Sequence, residues 1–344
     1  MTNQTAPSGL DILYIRPGGF GWGPVSELVS LAGRLLEARV IDVPDAGSAS
    51  TVQRAASLLP RGPRRRGRRL LVVAGNPSMV AQAARPELWF PGYESTAAWV
   101  IDSFWTSHIP KIVRRRPHLD HLFIMDPDLV GEWHDETGLD VTALPWGADT
   151  LALPELDTKN VDVVRLGRQP SAWDDDVRTA ARAEAAGLVF RGAPPAHEDA
   201  RMNQEAVRNA LLDAKIVLAF SNLVSPAAYT HPTRDYVTAR WTDGLAAGCL
   251  VAGKAPKAAA DLFWPDATLE ISPTDQTTAW PLLRQAAEAW TPERACRQRR
   301  LARQRLDWRL RLRDLCLTMG WPLPDPLKRE LVELVADGAS TKGV

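Results

Sequence analysis

Short apolar runs that alternate with helix-forming stretches are the feature that most constrains the fold of this chain. Before residue 150, the predicted strands cover 10–15, 39–43, 70–74, 97–102, 122–125 and 141–144. After residue 160 the pattern begins again, with predicted strands at 161–166, 188–191, 216–220, 249–252 and 268–271. Strands that alternate with helices form parallel sheets, because each crossover returns the chain to the same edge. The sequence therefore predicts an α/β protein with two Rossmann-like doubly wound domains.

The length of the chain agrees with this division into two domains. Its 344 residues include 45% hydrophobic residues, which is sufficient for two packed cores. Residues 150–160 combine a proline with weak periodicity and separate the two series of strands. We predict an N-terminal domain at 1–155 and a second domain at 156–310. A helical tail at 311–344 could pack back on the first domain.

Charge and targeting signals narrow the classes of partner. The chain has 41 basic residues (lysine and arginine) and 41 acidic ones (aspartate and glutamate), so its formal net charge is zero. Binding to nucleic acid is therefore not expected. No apolar stretch approaches the ~20 residues that span a bilayer, and the N-terminus lacks a secretory pattern. The three cysteines are odd in number and far apart, which favours a reducing compartment. We predict a cytoplasmic protein without a transmembrane segment.

Two arginine-rich stretches could bind an anionic partner. Residues 61–69 hold six arginines, and a single long helix predicted at 292–317 holds eight between 297 and 313. Such runs most often form solvated loops and helix faces. Contact of these arginines with nucleic acid, an acidic acceptor or the surface of an anionic membrane is the alternative.

Residues 231–253 carry the most specific pattern in the chain. Asp235 and Asp243 are separated by seven residues, and a helix is predicted to begin between them. Thr238 can cap that helix and Gly248 can end it. The free backbone N–H groups at a helix start can hold a diphosphate, and an arginine there adds positive charge. The candidate phosphate-binding residues are Tyr236, Val237, Thr238, Ala239 and Arg240.

Further candidates follow the predicted strands, because parallel sheets bind ligands outside the carboxyl ends of their strands. In the glycine-rich loop after the first strand, Gly18 and Gly19 either form a tight turn or let the backbone approach a ligand closely. The candidates in the second domain are Gly167, Arg168 and Asn222. Those in the first domain are Asp102, His108 and Asp126. The Asp-Pro-Asp sequence at 126–128 is equally typical of a turn, so no metal site is predicted.

Three segments, in this order, resemble motifs of the GT-B glycosyltransferases, within the group-one type related to family four. Residues 144–149 read Leu-Pro-Trp-Gly-Ala-Asp and resemble the motif that ends the first domain. Residues 163–168 read Val-Val-Arg-Leu-Gly-Arg and resemble the strand end that opens the second. Residues 235–248 resemble the Glu-x7-Glu motif, with aspartate in place of both glutamates. The likeness extends over most of the chain and is strongest from about 119 to 271.

The resemblance implies two Rossmann-like domains that face a cleft, and a hexosyltransferase-like activity. Such an enzyme moves a sugar from a nucleotide-diphosphate donor, UDP- or GDP-linked, to an acceptor. The acceptor could be a small molecule, a glycan or a lipid-linked compound, and peripheral membrane contact is compatible with the last of these. No cofactor other than the donor and no metal ion are implied.

The resemblance also implies roles for individual residues. Asp243 would bind the ribose hydroxyls, and Asp235 would lie near the donor sugar. Independently of the resemblance, the charges of Arg168 and Arg240 and the helix start could neutralise the diphosphate. The resemblance favours a retaining course, in which the leaving diphosphate itself takes the proton of the acceptor. An inverting course would need a base from the first domain, for which Asp102 and His108 are the candidates. His108 could contact the donor sugar instead.

The sequence departs from the family pattern in two places. Each aspartate of the motif is one methylene shorter than glutamate, which changes its reach. The basic residue expected soon after Gly167-Arg168 is missing, and Arg240 or Arg234 could replace it. These departures keep open a second hypothesis, in which the protein binds a nucleotide sugar without transferring it. A binder of nucleic acid or anionic surfaces that uses its arginines is the third and less favoured one.

Overall fold

The structure is a computed structural model that describes residues 8–47, 50–56, 65–83, 92–111, 113 and 118–339. Its contacts divide the chain into two compact units. Unit 1 contains Met1–Pro145 and Arg311–Leu331, and unit 2 contains Trp146–Leu310 and Val332–Val344. The domain bounds proposed from the sequence, at 155 and 310, stay predictions.

Unit 1 is built on a parallel sheet of six strands. The strands are β1 (Leu10–Arg16), β2 (Arg39–Pro44), β3 (Arg69–Ala74), β4 (Ser95–Val100), β5 (His121–Ile124) and β6 (Asp140–Ala143). Their order is β2-β1-β3-β4-β5-β6, and each neighbouring pair is parallel. Helices α1 (Gly23–Leu35), α2 (Thr51–Ala56) and α3 (Val130–Thr137) lie between them in the sequence. Consecutive residues of the inner strands are buried, as expected of a parallel sheet covered on both faces.

Unit 2 is built on a parallel sheet of five strands. They are β7 (Val161–Arg165), β8 (Phe190–Arg191), β9 (Ala214–Leu218), β10 (Leu250–Gly253) and β11 (Thr268–Glu270), in the order β11-β10-β9-β7-β8. The helices are α4 (Asp176–Ala185), α5 (Ala200–Asp213), α6 (Ala239–Ala246), α7 (Ala279–Glu288) and α8 (Pro292–Leu306). The wholly apolar run at 216–220 predicts a central strand, and β9 indeed occupies the middle of the sheet. Two more helices follow, α9 (Trp308–Met319) and α10 (Asp325–Ala339).

The two parallel sheets confirm the predicted fold class. In each sheet the second strand lies on one side of the first, and the third strand lies on the other. The chain therefore reverses its direction of growth between β1 and β3 in unit 1, and between β7 and β9 in unit 2. At such a switch point the loops after the two strands leave in opposite directions and open a crevice for ligands.

The prediction of one long helix at 292–317 is wrong. Helix α8 ends at Leu306 and α9 begins at Trp308, with Asp307 extended between them at φ −67° and ψ 136°. The Asp307 carboxylate is fully buried, where it accepts hydrogen bonds from the backbone and hydroxyl of Thr150 and from Arg309. These bonds hold the break, because the buried carboxylate could not be satisfied if the helix continued.

The residues after the predicted strand at 97–102 predict a helix at 104–113, and the described residues contradict most of it. The regular structure at 104–110 is a single 3-10 turn, Thr106–His108, after which Ile109 is extended at ψ 120°. Pro110 provides the reason, because its ring disfavours a helical conformation of the preceding residue. His108 therefore lies in a turn at the edge of the sheet and not within a helix.

Gly253 provides a test of how closely β9 and β10 pack at their carboxyl ends. A Cβ atom at Gly253 would lie 1.6 Å from the carbonyl oxygen of Ala219, a backbone atom that cannot move aside. We expect Gly253→Ala to lower the free energy of unfolding by about 3 kcal/mol, measured by urea denaturation. Gly131→Ala is the control, because no atom lies within 4 Å of its added Cβ and its effect should stay below about 1 kcal/mol. Equal stability of the two variants would contradict the packing at Gly253.

Candidate functional site

The switch point of unit 2 brings Gly167 against Arg240. Gly167 follows β7 with a φ of +65°, and a Cβ atom added to it would lie 2.9 Å from Nη1 of Arg240. Only glycine combines this backbone conformation with space for a guanidinium. The side chain of Arg240, on the first turn of α6, thereby reaches the loop after β7, and its Nη1 lies 3.4 Å from the carbonyl oxygen of Arg168.

Arg168 and Arg240 form a pair of cations at this switch point. Arg240 Nε donates to the hydroxyl of Thr238 at 3.1 Å, and Arg168 Nε donates to the carbonyl of Ser225 at 3.1 Å. Among the described residues, neither guanidinium forms an ion pair with a carboxylate. Burial lowers the pKa of Arg240 to about 10, and the charge of Arg168 is the second cause. Two close cations with no carboxylate between them make a site that favours an anion.

The N-terminus of helix α6 lies at the arginine pair, because Arg240 is in its first turn. It begins at Ala239, with Thr238 extended before it at φ −133° and ψ 165°. The prediction that the Thr238 side chain caps the helix is wrong, because its hydroxyl accepts from Arg240 and makes no capping bond. The positive end of the helix therefore adds to the charge of the arginine pair.

The two aspartates of the motif have different settings in the structure. Asp243 is half-buried on α6, where its Oδ2 accepts a hydrogen bond of 3.2 Å from Nε2 of the buried Gln204 on α5. Asp235 lies in the preceding loop, and its Oδ2 accepts the backbone N–H of Lys257 at 2.7 Å. Asp235 thus holds the turn that follows β10, whereas Asp243 stays on the helix that carries Arg240.

Asn222 organises the loop between β9 and α6. Its side chain is 2% exposed, and Nδ2 donates to the carbonyls of His231 at 3.1 Å and Arg234 at 2.8 Å. The side chains of Tyr236 and Val237 are also buried. At these three predicted donor-binding positions, contact with an anion would therefore come from the backbone.

Gly18 and Gly19 lie at the switch point of unit 1. Gly19 has a φ of +98° and directly precedes the 3-10 turn Phe20–Trp22. A Cβ atom at either glycine would meet nothing within 4 Å. The described residues therefore leave open space at the carboxyl end of β1, and the use of this loop by a ligand stays a prediction.

Asp102 and Asp126 lie farther along the same edge of the unit 1 sheet, two residues after β4 and β5 respectively. Asp126 is buried and accepts a hydrogen bond of 2.7 Å from Ser103, whereas the Asp102 carboxyl has no hydrogen-bond partner among the described residues. Burial raises the pKa of Asp102 to about 7, and the charge of Asp126 is the second cause. Asp102 can therefore take up or release a proton near neutral pH.

His108 is exposed and stacks on Trp105. The ring centroids are 4.9 Å apart, and the planes are nearly parallel at 3°. This contact places His108 on the turn that begins four residues after Asp102, at the same end of the sheet.

The structure thus gathers the predicted residues into two groups. Gly167, Arg168, Thr238, Arg240 and Asp243 lie at one switch point in unit 2. Gly18, Gly19, Asp102 and His108 lie at the carboxyl edge of the unit 1 sheet.

Sequence reasoning missed several neighbours of these groups, because they stand in segments without periodicity or signature. They are Ser103, Gln204, Ser225 and Tyr229. Gln204 alone carried a usable signal, since it stands in a stretch of helix-forming residues that directly precedes the central strand.

The described residues contain neither a candidate metal site nor a helix that could span a membrane. In that part of the chain, no group of three or more His, Cys, Asp or Glu side chains is placed to hold a metal ion. None of the helices described above is both long enough and apolar enough to cross a membrane.

Comparison with solved structures identifies proteins of the same fold. HepE from Anabaena, crystallised with UDP and glucose, superposes with a TM-score of 0.54 at 12% identity, over 90% of this chain and 99% of that one. Its complex with UDP-glucose gives a TM-score of 0.53 with the same identity and coverage. A glycosyltransferase from Rickettsia africae gives 0.52 at 9% identity, over 90% of this chain and 98% of that one. No protein-family model and no curated protein sequence matches the chain.

Proposed function

We propose that this protein is a glycosyltransferase that takes a sugar from a nucleoside-diphosphate donor. The observation that carries the proposal is the pair of arginines, Arg168 and Arg240, which no described carboxylate neutralises. A diphosphate brings two or more negative charges, so it would turn the repulsion within this pair into attraction. The start of α6 adds backbone N–H donors at the same place.

The same groups would act on the leaving diphosphate during transfer. Negative charge grows on its oxygens as the bond to the sugar breaks, and fixed cations stabilise that charge most. We therefore assign charge neutralisation to Arg168, Arg240 and the helix start, and we propose that the reaction is metal-independent. Asp243 would accept hydrogen bonds from the ribose hydroxyls, since its carboxylate lies on the same helix, and Asp235 would lie near the donor sugar.

The identity of the donor is proposed from the proteins that share the fold. HepE has been crystallised with UDP-glucose, which supports a UDP-linked hexose as the first donor to test here. A GDP-linked sugar is the second. In this proposal, the domain at 156–310 binds the donor and the domain at 1–155 binds the acceptor, which could be a small molecule, a glycan or a lipid-linked compound.

Two courses of the reaction are compatible with these roles. The family resemblance favours retention, in which the leaving diphosphate takes the proton of the acceptor. The raised pKa of Asp102 favours a course in which a carboxylate of unit 1 takes that proton and the sugar inverts. The anomeric configuration of the product distinguishes the two.

Thermal-shift measurements with UDP, GDP, ADP and dTDP test the binding of a donor. A ligand present at about 100 times its Kd raises the free energy of unfolding by about 2.7 kcal/mol, so one of these compounds should clearly raise the melting temperature. We expect the shift to fall by more than half in Asp243→Ala. Asp157→Ala is the matched control, because Asp157 is exposed in the same unit. A folded Asp243→Ala protein with the full shift and full transfer would contradict the role of Asp243.

The alternative of a nucleotide-sugar binder without transfer is supported by one observation. Asp235 is engaged by the backbone of Lys257, and its side chain is shorter than the family's glutamate. Incubation with UDP-glucose separates the hypotheses, because a transferase hydrolyses its donor slowly in the absence of acceptor. A protein that binds UDP, yet neither hydrolyses UDP-glucose nor transfers its glucose to any acceptor tested, would favour the binder.

The alternative of an arginine-rich surface binder has less support. Arg68 pairs with Asp11, and Arg299, Arg309 and Arg311 are buried, so these side chains do not form a free cationic face. Arg61 and Arg64 lie outside the described residues.

A further inference from the structure

Tyr229 is a large aromatic side chain that the structure leaves 68% exposed. It lies in the loop between β9 and α6, close to the arginine pair. The mechanism proposed above does not use it.

The loop holds the backbone at Tyr229 firmly. The neighbouring Thr230 is buried, and its hydroxyl exchanges two hydrogen bonds of 2.9 Å with the backbone of Ala227. Asn222 fixes the next part of the loop through its bond to the carbonyl of His231. The ring of Tyr229 consequently projects from a well-anchored turn, although it is itself exposed.

The ring of Tyr229 contacts the guanidinium of Arg168. The central carbon of that guanidinium lies over the ring, 4.8 Å from its centroid, and Nε donates to Ser225 at 3.1 Å. The ring face and the carbonyl together restrain the plane of the guanidinium. Its two terminal nitrogens form no hydrogen bond with the described residues, and they remain available to an anion.

Arg168 needs such a restraint because of its neighbour. The positive charge of the nearby Arg240 repels it, and like charges would drive the flexible side chain toward solvent. The negative face of an aromatic ring attracts a cation without neutralising it, as a carboxylate would. A tyrosine therefore keeps Arg168 in place and leaves its charge for a ligand.

We propose that Tyr229 is a positioning residue for Arg168, which it holds ready for the diphosphate of the donor. This inference rests on the proposed function, since it requires a diphosphate at the arginine pair. It predicts that removal of the ring weakens binding of the diphosphate only through Arg168.

A double-mutant cycle read by calorimetric titration with UDP tests the inference. We expect Tyr229→Ala to weaken UDP binding about fivefold, the size of an exposed cation–π contact, and Tyr229→Phe to stay within about twofold of the wild type. In an Arg168→Ala background, Tyr229→Ala should cause no further loss. Binding of uridine, which lacks phosphate, should be the same in all four proteins of the cycle.

Two further variants keep the test independent of folding. Leu223→Ala removes another exposed side chain from the same loop and should leave UDP affinity unchanged. Tyr229→Leu keeps an apolar side chain without an aromatic face, so it should also weaken UDP binding about fivefold, and it tests the ring contact if the alanine variant does not fold.

The outcomes separate this inference from the proposed function. An unchanged affinity in Tyr229→Ala, or a fivefold loss that persists without Arg168, would overturn the role of Tyr229 alone. If Arg168→Ala itself binds UDP as tightly as the wild type, the diphosphate site is wrong and the role of Tyr229 fails with it.

Discussion

Replacement of Arg240 with alanine is expected to weaken the binding of UDP about 30-fold, and joint replacement of Arg168 and Arg240 should weaken it further. A hydrogen bond to a charged group contributes about 1.5–3 kcal/mol, and each factor of ten in Kd corresponds to about 1.4 kcal/mol. Arg240→Lys should recover only part of the affinity, because an ammonium group lacks the planar fork that binds two phosphate oxygens. Calorimetric titration with UDP measures these changes.

Although Arg240→Ala should weaken UDP binding, it should not destabilise the protein without ligand. Removal of Arg240 ends its repulsion with Arg168 and the cost of its burial, so the melting temperature of the free protein should rise or stay constant. Arg297→Ala is the matched control, because Arg297 is an exposed arginine of the same unit. Equal UDP affinities of the Arg240 and Arg297 variants would rule out the arginine pair as the diphosphate site.

If the sugar inverts with Asp102 as the base, replacement of Asp102 with asparagine should lower the rate of sugar transfer by about 100- to 10,000-fold, the usual contribution of a general base. In the wild type, kcat/KM should rise with pH through about 7, because the carboxyl must lose its proton before it can accept another. The variant should lose this dependence and keep its affinity for UDP. Initial rates measured from pH 5.5 to 8.5 provide the test.

The free energy of unfolding should also depend on Asp102, but it should fall with pH where kcat/KM rises. The pKa of Asp102 in the folded protein, about 7, lies above the ordinary value of 3.8. Between these values the folded protein binds a proton that the unfolded chain releases, so the free energy of unfolding falls as pH rises from about 4 to 7. Asp102→Asn should remove this fall and be the more stable protein at pH 8.

Asp128→Asn is the control for both measurements, since Asp128 is exposed and follows the neighbouring strand β5. If Asp102→Asn transfers sugar at the wild-type rate with the wild-type pH profile, Asp102 is not the base. A product that retains the anomeric configuration of the donor would then support proton transfer to the leaving diphosphate.

The strands were the most predictable part of the fold. A strand of a covered parallel sheet is buried on both faces, so it leaves a continuous apolar run in the sequence, as at β3 and β9. Helix ends were less predictable. The break at Asp307 depends on Thr150, which is 157 residues away in the chain, and no local pattern contains that contact. The failed helix at 104–113 is different, because Pro110 was a local signal against it.

Within the candidate site, local chemistry predicted the helix that begins at Ala239 and the loop at Gly167. The same chemistry could not separate the two aspartates, to which only the family resemblance gave different roles. Packing separates them, because Asp243 faces Gln204 on α5 while Asp235 accepts the backbone of Lys257. Nothing in the sequence indicated the contact of Tyr229 with Arg168, since a tyrosine in a loop without periodicity has no distinguishing pattern.

The order of residue types along the chain was enough to establish the α/β class, the two series of parallel strands and the positions of the arginines. The charge balance of the site was decided only by tertiary structure. Arg168 and Arg240 are 72 residues apart, and the packing of α6 against the loop after β7 brings them together with no described carboxylate between them. Electrostatic interaction depends on distances in space and on the absence of a neutralising partner, and neither quantity is written in local sequence.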